Sequence, residues 1–122
     1  MPDVKRLSTL IDRLRGLSEQ NKVPWAETSD ERTFQAVLNG YAVSIAEEDA
    51  GYHYGEPITH FVIRFYDVNG KLLDAASETD FDERLMFEGQ KQARAALHDL
   101  HDEARRKALR VDQALDDLLK SL

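Results

Sequence analysis

Two six-residue apolar stretches, TFQAVL (33–38) and YAVSIA (41–46), are separated by Asn39-Gly40 alone. Asn-Gly suits the two left-handed positions of a type I′ turn, so the chain must double back there as a hairpin. A two-residue loop also fixes the register. It sets Leu38 against Tyr41, Ala36 against Val43 and Phe34 against Ile45, placing these six on one face. Gln35 then meets Ser44, and Val37 meets Ala42, on the other face. A half-buried antiparallel sheet is therefore the centre from which the rest of the chain is read.

A second hairpin follows. ITHFVIRFYD (58–67) places Phe61, Ile63 and Phe65 on one face and Ile58, His60, Val62, Arg64 and Tyr66 on the other. A three-residue loop, Val68-Asn69-Gly70 with Gly70 left-handed, pairs Phe65 with Leu73 and Ile63 with Ala75. The expected sheet is a four-stranded meander over 33–76. Its apolar face is built from Phe34, Leu38, Tyr41, Val43, Ile45, Phe61, Ile63, Phe65 and Leu73.

Helices flank this sheet. Over 3–20, Val4, Leu7, Ile11 and Leu14 recur at spacings of three and four, with Leu10 and Leu17 widening the stripe and Asp3 as N-cap. Segment 21–32 is polar apart from Val23 and Trp25 and reads as a connector that brings Trp25 to the core edge. From Thr79 onward the pattern turns helical. Asp80 and Glu83 resemble a capping box, and Gly89 breaks or kinks the helix. Gln90 to Leu122 contains no Gly, no Pro and one β-branched residue, Val111, a composition that favours helix throughout. The chain is thus expected to be a single two-layer α+β domain over 1–122, with an N-terminal helix, a four-stranded antiparallel meander and a long C-terminal helix in the helical region 80–122.

That last helix is too long for its domain. Its 33 residues would span about 50 Å, whereas a compact chain of this length is roughly 35 Å across. Either it bends around Arg105 to Leu109 and returns onto the N-terminal helix, or its end projects. A projecting stripe of Val111, Leu115, Leu118 and Leu122 exposes apolar surface that calls for a partner, a second copy or another helical protein.

Charge narrows the function classes. The 122 residues carry a formal charge of −7 and no cysteine, which rules out disulfide frameworks, thiolate metal sites and Cys nucleophiles. Residues 1–22 hold five basic and three acidic groups, residues 23–80 three and eleven, and residues 81–122 eight and nine. An acidic body between balanced helices disfavours nucleic acid, although Arg105, Arg106, Lys107 and Arg110 form a basic stretch that could contact a polyanion or an acidic partner. No apolar run is long enough for a membrane span. The charge-interrupted N-terminus does not read as a signal peptide, and a cytoplasmic setting is expected.

Two further groups are candidates for chemistry. Segment 47–57, EEDAGYHYGEP, reads as the longest inter-strand loop. Its acids suit a hard cation, and Tyr52, His53 and Tyr54 suit a protein partner. His98 and His101 share a helix face and could hold a metal with a third ligand, but the sequence supplies none. Nucleophile elbows, phosphate loops and zincin motifs are absent from the sequence. No catalytic residue, cofactor or metal site is assigned. The expectation is a small non-catalytic interaction or adaptor module that self-associates as a dimer through Val111, Leu115, Leu118 and Leu122, with Tyr52, His53 and Tyr54 as further contacts. The alternatives are a ligand binder or enzyme using 47–57 with His60 and Arg64, and a nucleic-acid contact through Arg105 to Arg110.

Overall fold

The computed structural model describes residues 2–122. Helix α1 runs Val4–Glu19 and is capped by Asp3, whose carboxylate accepts the Arg6 amide. It buries Leu7, Ile11 and Leu14 as their spacing requires, together with Ser18. The chain then turns so that Trp25 is buried and its indole N–H donates to the Ser18 hydroxyl at 2.8 Å.

Five strands form one antiparallel sheet in chain order: β1 (Ala26–Glu27), β2 (Thr33–Leu38), β3 (Tyr41–His53), β4 (Glu56–Tyr66) and β5 (Leu72–Ser77). The expected four strands become five because β1 pairs Ala26 with Gln35 and Glu27 with Phe34 along the free edge of β2. Two residues show no alternation from which a strand could be read.

The β2–β3 register is the one the turn requires, with Leu38 opposite Tyr41, Ala36 opposite Val43 and Phe34 opposite Ile45. Asn39 and Gly40 are both left-handed, and a Cβ on Gly40 would lie 2.9 Å from Val68 Cγ1. Between β4 and β5 the three-residue loop forms with Gly70 left-handed, closed by Asp67 N–H to the Lys71 carbonyl. Beyond it the expected register fails. Tyr66 faces Leu72 but Phe65 faces Asp74 and Ile63 faces Ala76, because Leu73 is bulged out. The bulge exchanges a core position: Ala76 is buried, whereas Leu73 lies exposed, as does Tyr41 at the hairpin end.

Segment 47–57 is not a loop. β3 and β4 continue pairing to His53 opposite Glu56, around a two-residue turn of Tyr54 and Gly55, both left-handed. One bulge between Asp49 and Tyr52 absorbs Gly51. This arm extends past the first residue of β2, Thr33, and the last of β5, Ser77. The acids that suggested a cation site are engaged along it. Glu47 accepts from the Thr59 hydroxyl, Glu48 pairs with Arg64, and Asp49 pairs with Arg32 at 3.2 Å.

The C-terminal third also departs from expectation. Ser77 and Asp80, not Asp80 and Glu83, make the capping box, around a short 3-10 turn (Glu78–Asp80). Residues 81–92 are not helical. Phe81 and Phe87 are both buried and meet edge to face at 5.5 Å, and a left-handed Gly89 and Gln90 reverse the chain between Phe87 and Lys91. Burying two rings six residues apart outweighs local helix preference. Helix α2 spans Ala93–Ala108, and α3 spans Val111–Ser121.

α1 and α2 pack together on one face of the sheet, and α2 crosses β1 to β4. The core joins Leu7, Ile11 and Leu14 with Leu97, Leu100 and Ala104 over Phe34, Val43, Ile45, Phe61 and Ile63. The long helix does bend, at Leu109–Arg110. The tail does not return onto α1 to become core: no α3 residue is buried.

Candidate interaction surface

α3 is a short amphipathic helix with Asp112 in its first turn and Lys120 in its last, as the macrodipole favours. Leu115 is 49 % exposed, Leu118 59 %, Leu119 70 % and Leu122 100 %, with Val111 half-buried beside them. On a helix these five fall within an arc of about 100°, the width of a core-facing stripe. Leu119 was not among the residues expected. It lies four residues after Leu115, so helical spacing alone would have found it.

The break before α3 sits on Arg110, with φ 53° and ψ 47°. A residue with a Cβ is disfavoured there by about 1–2 kcal/mol. The basic stretch around it is internally paired: Arg105 with Asp102 at 3.4 Å, Arg106 with Asp112, and Lys107 with Glu103 at 3.9 Å. Such pairing reduces the charge available to a polyanion.

Tyr52, His53 and Tyr54 occupy the arm tip, a different element from α3. Tyr52 is 76 % exposed and Tyr54 94 %, and the His53 and Tyr54 rings meet at 4.3 Å. Of His60 and Arg64, both on β4, only His60 shares a groove with the arm tip. Arg64 is held by Glu48 through both guanidinium nitrogens, the second at 3.1 Å. That hydrogen bonding keeps the Glu48 carboxyl below its usual range. His60 and His53 instead line a groove of about 510 Å³ with Pro57, Glu78 and Arg94.

A groove of about 690 Å³ opens beside the start of α2 between Met86, Gln90, Lys91, Arg94 and His98. Its cations are committed. Lys91 pairs with Asp99, and Arg94 pairs with Glu78 while its guanidinium lies 5.3 Å over the Phe61 ring. Burial pushes the Asp99 carboxyl up, but Lys91 and then Arg15 outweigh it and hold it low. His98 and His101 diverge in environment. His101 is buried edge-on to Phe34, with Nε2 donating to the Arg32 carbonyl, whereas His98 is exposed beside Phe61. Among the described residues no three His, Asp or Glu side chains gather to hold a metal, and no helix is long and apolar enough to cross a membrane.

The sheet edges are covered in part. On β5 the Asp74 carboxylate accepts the Ala75 and Asp3 amides. On the β4 side of the arm, Glu78 accepts the Phe61 amide, Arg94 donates to the Thr59 carbonyl, and Pro57 has no N–H to offer. β1, at the other edge, is two residues long. Short, capped or bulged edges resist strand addition by another chain.

Comparison with protein-family models, with curated proteins and with solved structures finds no match for this chain.

Proposed function

We propose that this chain is a small cytoplasmic, non-catalytic interaction or adaptor module that self-associates through α3. The observation that carries this reading is a leucine stripe on a helix that buries no residue of its own. The four leucines together expose the equivalent of nearly three whole side chains per copy. A symmetric pair would remove on the order of 1,000 Å² from water, the lower bound for a specific interface. The apolar gain of about 1.5–3 kcal/mol per leucine is of the same order as the cost of association, about 4–15 kcal/mol, so the dimer expected is a reversible, concentration-dependent one. A self-complementary stripe is also what a two-fold interface uses. The capped positions on β5 and on the β4 side of the arm disfavour strand pairing there.

Sedimentation velocity across a concentration series tests the proposal. The expected result is a monomer–dimer equilibrium that weakens at least about tenfold in Leu115→Ser/Leu118→Ser, with the variant's circular dichroism and unfolding midpoint matching the parent's at dilutions where both are monomeric. A chain that stays monomeric up to roughly 1 mM, where association would be worth only about 4 kcal/mol, overturns it.

A further inference from the structure

The start of α3 sets sequence against backbone. Lys107 to Val111 contains no Gly or Pro, and Gln90 to Leu122 favours one continuous helix. Yet the helix breaks on a left-handed arginine whose side chain makes no capping bond to α3. The apolar pattern also runs through the break. Leu97, Leu100 and Ala104 face the core with Ala108 partly buried behind them. Carrying the same helical repeat onward brings Val111, Leu115, Leu118 and Leu122 onto that face.

One contact belongs to the bent form alone. Arg106 pairs with Asp112, six residues on, whereas on a straight helix only residues three or four apart are neighbours. A left-handed residue is a common way to end a helix, but here it is an arginine within a stretch whose composition and apolar repeat both continue as helix, so the strain of the break is what a straight form would release.

We infer that α2 and α3 fuse into one helix, from Ala93 to the end of α3, when a second copy covers the α3 stripe. This deepens the self-association reading and rests on it. In the free chain neither form covers the leucines, and the Arg106–Asp112 pair, which only the bent form makes, favours the bend. In the dimer, the partner's α3 covers the stripe and Arg110 becomes helical. Association and straightening are then a single coupled equilibrium.

The chain lacks cysteine, so Ala95→Cys with Lys120→Cys provides a unique pair of spin-label sites. Pulsed EPR is measured on full-length chains, with labelled copies diluted into unlabelled ones. The expected result is a short separation in the monomer and a population near 38 Å, from the helical rise across 25 residues, that grows in step with dimer formation. Two hinge variants remove the same charge and push in opposite directions. Arg110→Gly, at ease in the left-handed region and poor in a helix, weakens the dimer at least about tenfold. Arg110→Val, ill-suited to that region, tightens it. A dimer whose label separation stays short, or equal dissociation constants for the two variants, overturns the coupling and leaves self-association standing. A long separation already present in the monomer overturns it as well. A chain monomeric throughout overturns both.

Discussion

Arg15 provides the sharpest test of how the non-helical segment 81–92 is held. Its Nη1 donates to Asp12 Oδ1 at 3.1 Å and to the Glu88 carbonyl at 3.0 Å, and its Nη2 donates to Asp99 Oδ2 at 3.2 Å. The side chain is only 14 % exposed, so α1, α2 and the segment between them meet at a partly dehydrated guanidinium. Arg15→Met keeps the stem and removes the charge. Hydrogen bonds to charged groups contribute about 1.5–3 kcal/mol each, and breaking a fully buried pair costs about 3–5 kcal/mol. Three features reduce the loss here. Asp99 keeps Lys91, Asp12 keeps the Glu88 amide at 3.1 Å, and the buried Arg15 Nε that lacks a partner is removed. The expected destabilisation is therefore about 2 kcal/mol, or roughly 6–10 °C in Tm for a chain of this size. Urea unfolding at pH 7 measures it, with the m-value unchanged. Hydrogen exchange should rise first around Glu88. A loss below about 0.5 kcal/mol, or strict additivity with Asp99→Asn, would refute the idea that Arg15 joins these elements.

Acid should act through the same node and through the arm. The folded-state carboxyls of Asp99 and Glu48 lie below their ordinary values of 3.8 and 4.5. Their contribution is thus complete above those values and lost as pH falls through the depressed ones. Urea midpoints should drop on acidification more shallowly in Asp99→Asn than in the parent chain, and identical profiles would contradict this. Trp25→Phe removes the donor to the buried Ser18 hydroxyl and should cost about 1–2 kcal/mol beyond the smaller ring. Adding Ser18→Ala should recover part of that hydrogen-bond loss, and strictly additive losses would exclude the bond as the cause.

Where turn chemistry and side-chain alternation coincide, as at Asn39-Gly40, sequence reading reaches residue-level register. Where one residue slips out of pairing it does not. The Leu73 bulge leaves no trace in composition, yet it sets Asp74 rather than Leu73 opposite Phe65 and Ala76 rather than Ala75 opposite Ile63. The arm is not legible in the sequence because Tyr54 occupies a turn position normally held by Asn, Asp or Gly, and because three consecutive acids suggest solvent rather than cross-strand pairing. Local helix signals after Thr79 were overruled by the burial of Phe81 and Phe87, a tertiary effect. The mismatch between helix length and domain size was legible and demanded a resolution near residue 108. Arg110 as the place of the break was not, since nothing in its side chain favours a left-handed backbone. The α3 stripe was readable from spacing, but the absence of any intramolecular cover for it required the fold.

Because none of the residues from Val111 to Ser121 enters the core, the body of the domain places almost no constraint on what they are. Substitutions there escape the purge that folding imposes on Leu100 or Ile45 and are filtered only by whatever binds them. The tail can therefore diverge quickly between related chains while the body stays fixed. For protein engineering, the stretch after Ala108 is a natural splice point at which one body can carry exchangeable helices.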